Sequence, residues 1–115
     1  MYQLTENEQK TLDELKAWDA RIGLIYISSS LTMEREWHMA LPKSVSVHTA
    51  RISFPGCQST ECAINEAVNS GQIEEAARKL GSCEVDVIVF GCTAGTFLRG
   101  LAFDQELANR ISKAS

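Results

Sequence analysis

The sequence has no long apolar run, no excess of positive charge and no secretion signal. Its longest apolar stretches, Ile22–Ile27 and Val87–Phe90, are far shorter than the roughly 20 residues that a membrane-spanning helix needs. Eleven Lys and Arg residues against fifteen Asp and Glu residues give a formal charge of −4, whereas nucleic-acid surfaces need clustered positive charge. The polar N-terminus has no apolar signal core. We therefore expect a cytoplasmic protein that binds neither membranes nor nucleic acids.

The common cofactor and metal motifs are also missing from the sequence. No P-loop lysine accompanies Gly91 and Gly95, and no G-x-G-x-x-G fingerprint is present. The spacing of Cys57, Cys62 and Cys83 fits no common zinc motif. We expect these cysteines to be thiols, because the cytosol keeps them reduced. No bound metal or cofactor is expected.

Length and composition predict one α/β domain over residues 1–115, with residues 1–20 as an N-terminal helical extension. Apolar, β-branched segments predict three strands at Arg21–Ile27, Ser44–Ile52 and Val85–Phe90. The first and third have the continuous apolar pattern of central strands. The second alternates apolar and polar residues, which is typical of a strand nearer an edge.

Helical spacing of apolar residues lies between the predicted strands. It predicts a first helix over 6–19, where Thr5 and Glu8 form a capping box, and a second over 32–41. A third helical stretch begins at Ser59 or Thr60, is interrupted at Gly71 and stops at Gly81, and a last helix covers 96–113. Strands separated by helices must be parallel, with right-handed crossovers. We therefore expect a doubly wound, flavodoxin-like α/β fold whose mostly parallel sheet is flanked by helices.

One segment that follows a predicted strand is suited to nucleophilic or acid–base chemistry. Ligands of parallel α/β sheets bind at the carboxyl ends of strands, where loops and helix N-termini gather. Cys92, followed by Thr93 and Ala94, leaves the last strand at the start of a helix. Unpaired N–H groups at such a position stabilise a thiolate, which makes Cys92 the candidate catalytic residue. The alternative is that Cys92 is a small buried apolar side chain.

A second segment of this kind is rich in hydroxyl groups. The first strand leads into Ser28, Ser29 and Ser30, a turn that offers hydroxyls and N–H groups to an anion. The alternative is that Ser30 only caps the next helix. Arg51 and Arg99 could also meet a substrate carboxylate, although isolated arginines are more often solvated.

These two segments carry a resemblance to a known family. Arg21–Glu36 is similar to the opening strand and the Pro-Ser-Ser-Asn-Thr-Thr-x-Glu loop of the aspartate/glutamate racemase superfamily, in its maleate isomerase and arylmalonate decarboxylase branch. Val85–Leu107 resembles the strand, the Cys-Thr-Ser-Gly-Ser-Phe turn and the following helix of the same family. The second match is the more specific, because Gly91–Phe97 keeps the order of cysteine, threonine, glycine, hydroxyl and phenylalanine.

The resemblance implies a fold of two similar α/β halves around a pseudo-twofold axis, of which this chain matches the first. It implies a cofactor-independent isomerase or racemase that acts on a small carboxylate or dicarboxylate. By position, Cys92 would supply a thiolate, while Thr93, Ala94 and the turn Ser28–Ser30 would contact the carboxylate. Arylmalonate decarboxylases have glycine at the position of Cys92, so a cysteine favours isomerase or racemase chemistry.

The sequence departs from the family pattern in the loops and in length. Ile27 replaces the loop proline, Ser30 the asparagine, Leu31 the first threonine and Ala94 a serine, so the substrate preference is open. The second cysteine of the family has no counterpart, and one half cannot place groups on both faces of a substrate carbon. The resemblance therefore implies either a homo-oligomer or a missing C-terminal half.

Three other functions fit the same residues. The chain could be a catalytically silent α/β binding or scaffold half-domain, which keeps the carboxylate-holding turn without turnover. An arylmalonate-type decarboxylase is a second alternative. A thiol-based redox sensor is the third, and it predicts a reversible disulfide between Cys57 and Cys62.

Overall fold

The described part of the chain alternates helices with three parallel strands. A computed structural model describes residues 1–16, 18–54, 60–97 and 99–115, with only the main chain described at Leu101. The elements in chain order are α1 Glu6–Leu15, β1 Ala20–Ile27, α2 Met33–Ala40, β2 Val45–Ile52, α3 Glu61–Asn69, α4 Gln72–Ser82, β3 Val87–Phe90, α5 Thr93–Phe97 and α6 Leu101–Ala114.

The sheet has the strand order β2-β1-β3, and both pairings are parallel. Ile25 of β1 is level with Ala50 of β2 and with Phe90 of β3. Each connection between neighbouring strands therefore passes through at least one helix, as parallel pairing requires. The structure confirms the predicted α/β class and the three predicted strand positions.

Helices cover both faces of the sheet. Ile25 and Ile52 point to the face covered by α3, α4 and α6, where one contiguous apolar cluster forms the core; its helical members include Ala67, Ile73, Ala77, Leu80, Phe103 and Leu107. Leu24 and Tyr26, also fully buried, point to the other face, because successive side chains of a strand alternate. Tyr26 contacts α2 there through Glu34. Helices on both faces confirm the doubly wound arrangement.

The position of β3 in the sheet corrects the prediction. The sequence predicted Val85–Phe90 as a central strand, but within the described part of the chain β3 pairs with β1 alone and forms an edge. Val87 is 51% exposed as a result. A continuous apolar pattern is typical of a strand that lies between two other strands, whereas β3 has one neighbouring strand in the described sheet.

Two helix boundaries also differ from the prediction, for local reasons. The first helix was predicted to reach residue 19, but α1 ends at Leu15 because the N–H of Asp19 donates to the Ser44 carbonyl at 2.8 Å and leads the chain into the sheet. The helix predicted over 96–113 is instead two helices, α5 and α6. Gly100, with φ 83° and ψ −177°, separates them, a conformation that only glycine adopts readily.

The predicted helix stop at Gly81 is wrong as well. Helix α4 passes through Gly81 and continues to Ser82. A Cβ on Gly81 would lie 2.7 Å from the carbonyl carbon of Ser115. Glycine is therefore needed here for the close approach of the end of α6, not to end α4.

Helix α1 has the predicted capping box, in which Thr5 Oγ1 accepts the Glu8 N–H and the Glu8 carboxylate accepts the Thr5 N–H. None of the ten side chains of α1 is buried. The helix is therefore held by its own caps and not by the core. Among the described residues, no helix is long and apolar enough to cross a membrane.

Candidate functional site

The two predicted site segments leave neighbouring strands at the same edge of the sheet. Ile25 and Phe90 are register partners, and the Gly91 N–H donates to the Ile25 carbonyl at 2.7 Å. Neighbouring strands lie about 5 Å apart. The turn after Ile27 and the segment that starts at Cys92 are therefore adjacent, at the carboxyl edge where parallel sheets bind ligands.

Cys92 precedes the first residue of α5, and its sulfur is part of the local helix start. Sγ accepts a hydrogen bond from the Gly95 N–H at 3.4 Å. The Cys92 carbonyl accepts from the N–H of Thr96 at 3.1 Å and from its hydroxyl at 3.0 Å. The sulfur thus has the position of a helix N-cap acceptor.

The Cys92 side chain points toward the core. The residue is 8% exposed and belongs to the apolar cluster beneath α3 and α6. A Cβ on Gly95 would lie 3.3 Å from both the Cys92 sulfur and the Phe90 ring, so these groups enclose Sγ closely. A ligand has only a narrow approach to the sulfur, which agrees in part with the alternative of a small buried side chain.

The other predicted contacts are open to solvent. Thr93 and Ala94, the first two residues of α5, are exposed, and so are Ser28 and Ser29, while Ser30 is half-buried. The Ser30 N–H donates to the Ile27 carbonyl at 3.0 Å, which closes a tight turn after β1. The edge therefore presents hydroxyl groups from both segments, with the thiol less accessible than they are.

Arg51 holds the serine turn, a role that was not predicted. Its Nη1 donates to the carbonyls of Ser28, at 2.7 Å, and of Ser30, at 3.0 Å. Its Nη2 donates to Glu34 at 2.9 Å, and the guanidinium stacks 4.6 Å from the Tyr26 ring centre. The sequence indicated that Arg51 either meets a substrate carboxylate or is solvated. Its contact with the turn follows from the register of β1 and β2 in the structure, in which Arg51 is level with Tyr26, and no local sequence pattern indicates it.

Glu34 is the electrostatic centre of this network. Its hydrogen bonds from Thr49, Tyr26 and Arg51, with the Arg51 charge, hold the pKa of Glu34 below its ordinary value, against an opposing effect of burial. Burial and donation to the Glu34 carboxylate raise the pKa of the Tyr26 phenol. Glu34 is therefore an anion and Tyr26 a neutral donor near neutral pH.

The remaining predicted residues lie apart from this edge or have other partners. Arg99 donates to Asn65 at 3.0 Å and stacks 5.0 Å from the Phe103 ring. Cys62 and Cys83 are exposed thiols, and Cys57 lies outside the described residues, so the predicted Cys57–Cys62 pair stays a prediction. In the described ranges, no group of three or more His, Cys, Asp or Glu side chains is placed to hold a metal ion.

Comparison of the sequence with protein-family models and with curated proteins gives no match. Comparison of the fold with solved structures matches a cysteine-to-alanine variant of the maleate isomerase Iso from Pseudomonas putida S16, crystallised with maleate. The TM-score is 0.68 at 22% identity, and the match covers 83% of this chain and 39% of that chain. This chain thus spans well under half the length of that enzyme, and over most of its own length it shares the enzyme's α/β fold.

Proposed function

We propose that this chain provides one half of a cofactor-independent isomerase or racemase that acts on a small carboxylate or dicarboxylate. The observation that carries the proposal is the Cys92 sulfur, which accepts the Gly95 N–H at the carboxyl edge of the parallel sheet. The thiolate is the reactive form of cysteine, and the proposal requires Cys92 to react in that form. The fold likeness to a maleate isomerase, and the resemblance of Arg21–Glu36 and Val85–Leu107 to the racemase superfamily, support the same chemistry.

A thiolate at position 92 can act in two ways. As a base, it takes the proton α to the carboxylate, and the electron pair left on carbon delocalises into the carboxylate until a proton returns from either face. As a nucleophile, it adds to one alkene carbon of a maleate-like dicarboxylate, and the electron pair moves to the other carbon. Rotation about the resulting single bond and loss of the thiolate then give the trans alkene.

The exposed hydroxyls and N–H groups around the thiol suit the carboxylate. Ser28, Ser29, Ser30 and Thr93 each carry a hydroxyl at this edge, and Ala94 adds a main-chain N–H at the start of α5. Hydrogen bonds from such groups are stronger when the acceptor is charged. No second thiol follows the ends of β1 and β3, so the proposal assigns the opposing group to a second half or a second copy.

Exposed apolar residues flank the same edge. Leu31, next to the serine turn, is 84% exposed, and Phe97, at the end of α5, is 69% exposed. Apolar surface beside a polar site is typical of a surface that a partner covers. A second half placed over this edge would enclose Cys92 and exclude water from the reacting carbon.

The burial of Cys92 favours one alternative function. A sulfur that is part of the apolar core contributes packing without chemistry. In that case the chain is a catalytically silent module, whose serine turn and Thr93 bind a carboxylate without turnover. The arylmalonate-type decarboxylase stays a weaker alternative, because its resemblance implies glycine at position 92.

Alkylation and turnover distinguish these functions. In a variant with serine at positions 57, 62 and 83, Cys92 is the remaining cysteine, and we expect maleate to slow its alkylation by iodoacetamide. Conversion of maleate to fumarate, followed by proton NMR, should occur only in a species that contains both halves and should be lost in Cys92→Ala. Conversion that persists in Cys92→Ala would refute the thiolate mechanism. Maleate binding that is unchanged in Cys92→Ala, without turnover in any assembly, would establish the silent module.

A further inference from the structure

The serine turn after β1 uses only some of its main-chain donors internally. The N–H groups of Ser28 and Ser30 donate to carbonyls of the strands, at 2.8 Å and 3.0 Å. The N–H groups of Ser29 and Leu31 have no main-chain acceptor in the described part of the chain. Both residues are exposed. The turn therefore keeps two N–H donors on residues that a ligand is able to reach.

Arg51 lies on the opposite side of the turn from these two donors. Its Nη1 donates to the carbonyls of Ser28 and Ser30. In a trans peptide group, the C=O and the N–H of the next residue point in opposite directions, and none of the described peptide bonds is cis. Because both carbonyls point to the guanidinium, the N–H groups of Ser29 and Leu31 point away from it. The arginine thus sets the direction of both donors without contacting them.

Glu34 and Tyr26 fix the guanidinium itself. The Arg51 Nη2 donates to Glu34 Oε2 at 2.9 Å, and the Tyr26 hydroxyl donates to the same oxygen at 2.9 Å. The guanidinium carbon lies 4.6 Å from the centre of the Tyr26 ring. A lysine ammonium is a point donor on a flexible stem, so it does not reproduce this planar arrangement. The geometry of the turn therefore depends on arginine at position 51 and not on positive charge alone.

We propose that Arg51 is a positioning residue for carboxylate binding, because it keeps the serine turn in the conformation that presents the N–H groups of Ser29 and Leu31. This inference rests on the proposed function, in which the turn contacts the substrate carboxylate. The alternative is that Arg51 contacts the carboxylate itself. Its Nη1 already donates to two carbonyls, and the Glu34 carboxylate offsets the charge of the guanidinium. The contacts therefore favour the indirect role.

Titration with sodium maleate at constant ionic strength tests this role. We expect maleate to shift the amide NMR signals of Ser29 and Leu31 in the unchanged chain. Arg51→Lys keeps the charge but not the planar fork, so it should weaken maleate binding about 10-fold. Arg35→Lys, at an exposed position of α2, is the matched control and should bind as the unchanged chain does. Circular dichroism checks that each variant is folded, and equal binding by the two variants would overturn the role of Arg51.

Replacement of Glu34 distinguishes positioning from direct contact. If Arg51 contacted the carboxylate, removal of the Glu34 charge would strengthen maleate binding. A positioning role predicts weaker binding, because the guanidinium loses its acceptor. We expect Glu34→Gln to bind maleate about 3-fold more weakly than Glu36→Gln, which removes the same charge from an exposed position of the same helix. Tighter binding by Glu34→Gln would assign the contact to Arg51 itself and would overturn the positioning role.

Steady-state kinetics separate positioning from a general loss of structure. In a species that converts maleate to fumarate, Arg51→Lys should raise KM about 10-fold and leave kcat within about 2-fold, since it removes binding that the substrate and the transition state share. Partial unfolding would instead lower the amount of active protein, and with it the apparent kcat. A lower kcat at unchanged KM would therefore contradict the positioning role.

The titration also distinguishes failure of this inference from failure of the proposed function. Maleate binding by the unchanged chain that Arg51→Lys does not weaken would overturn the role of Arg51 and leave the carboxylate site in place. No maleate binding by the unchanged chain would overturn the carboxylate site, and the role of Arg51 with it.

Discussion

The thioether of Met33 occupies the space in which a side chain on residue 91 would lie. A Cβ built on Gly91 would overlap Met33 Sδ and would come within 3.2 Å of Leu24 Cδ1. Met33 begins α2, three residues after Ser30, and Gly91 directly precedes Cys92. One contact therefore links the two segments of the candidate site, and it needs glycine at position 91.

Gly91→Ala should destabilise the protein by about 1–3 kcal/mol, because an added methyl group in a packed site forces neighbouring side chains to move. Urea unfolding followed by circular dichroism measures the loss. In a Met33→Ala background the same change should cost less than half as much, since the alanine side chain leaves space for the new methyl group. Equal losses in the two backgrounds would show that Met33 is not the group that the methyl meets.

The strand-end position of the candidate site could be predicted from the sequence, because it depends on local patterns. A short β-branched run followed by Gly91 and Cys92 predicts a strand that leads into a turn, and parallel pairing brings such ends to one edge. The sequence left the burial of Cys92 open, as one of two alternatives. Its burial depends on tertiary packing against the apolar cluster that includes Ile64 and Phe103, which no local pattern shows.

The network around Glu34 shows a second limit of sequence reasoning. The three residues of this network, Arg51, Tyr26 and Glu34, lie on three different elements, and Arg51 is 17 residues from Glu34. Each residue alone has an ordinary surface or core pattern. Their contacts follow from register, in which Tyr26 is level with Arg51. A one-residue shift in pairing would send Arg51 to the other face. Only the assembled sheet shows that the arginine holds the serine turn.

Replacement of Arg51 tests its role in that turn. Arg51→Met keeps the aliphatic stem over Tyr26 but removes the hydrogen bonds to the Ser28 and Ser30 carbonyls and to Glu34. We expect a loss of about 1–3 kcal/mol in stability, since charged hydrogen bonds contribute more than neutral ones. Amide hydrogen exchange should be faster at Ser30, whose N–H closes the turn. Arg35→Met, exposed on α2, is the matched control, and an equal effect of that change would rule out a specific role of Arg51.

The lowered pKa of Glu34 predicts a specific pH dependence of stability. The folded state favours the carboxylate form of Glu34, so this residue stabilises the fold at pH values above its pKa in the unfolded chain, near the ordinary value of 4.5. The contribution is lost as the pH falls through the lower pKa of the folded state. Glu34→Gln should therefore be less stable than the unchanged chain at pH 7, with the difference shrinking below about pH 4. Urea midpoints measured between pH 3 and pH 7, with Glu36→Gln on the same helix as control, provide the comparison. A constant difference over this range would contradict the assignment.

The two glycines with positive φ should differ in their tolerance of alanine. Gly71 has φ 84° and ψ −1°, and Gly100 has φ 83° and ψ −177°. A Cβ at either position would meet no other atom within 4 Å, so the cost of alanine is backbone strain alone. The left-handed conformation of Gly71 costs alanine about 1–2 kcal/mol, whereas the conformation of Gly100 is nearly restricted to glycine and costs up to about 3 kcal/mol. Gly100→Ala should therefore lower the urea midpoint more than Gly71→Ala does.

Gly100→Ala should also change the alkylation rate of Cys92, because relief of the backbone strain reorients α5 against α6. An unchanged alkylation rate together with the larger stability loss would show that α5 keeps its place without Gly100.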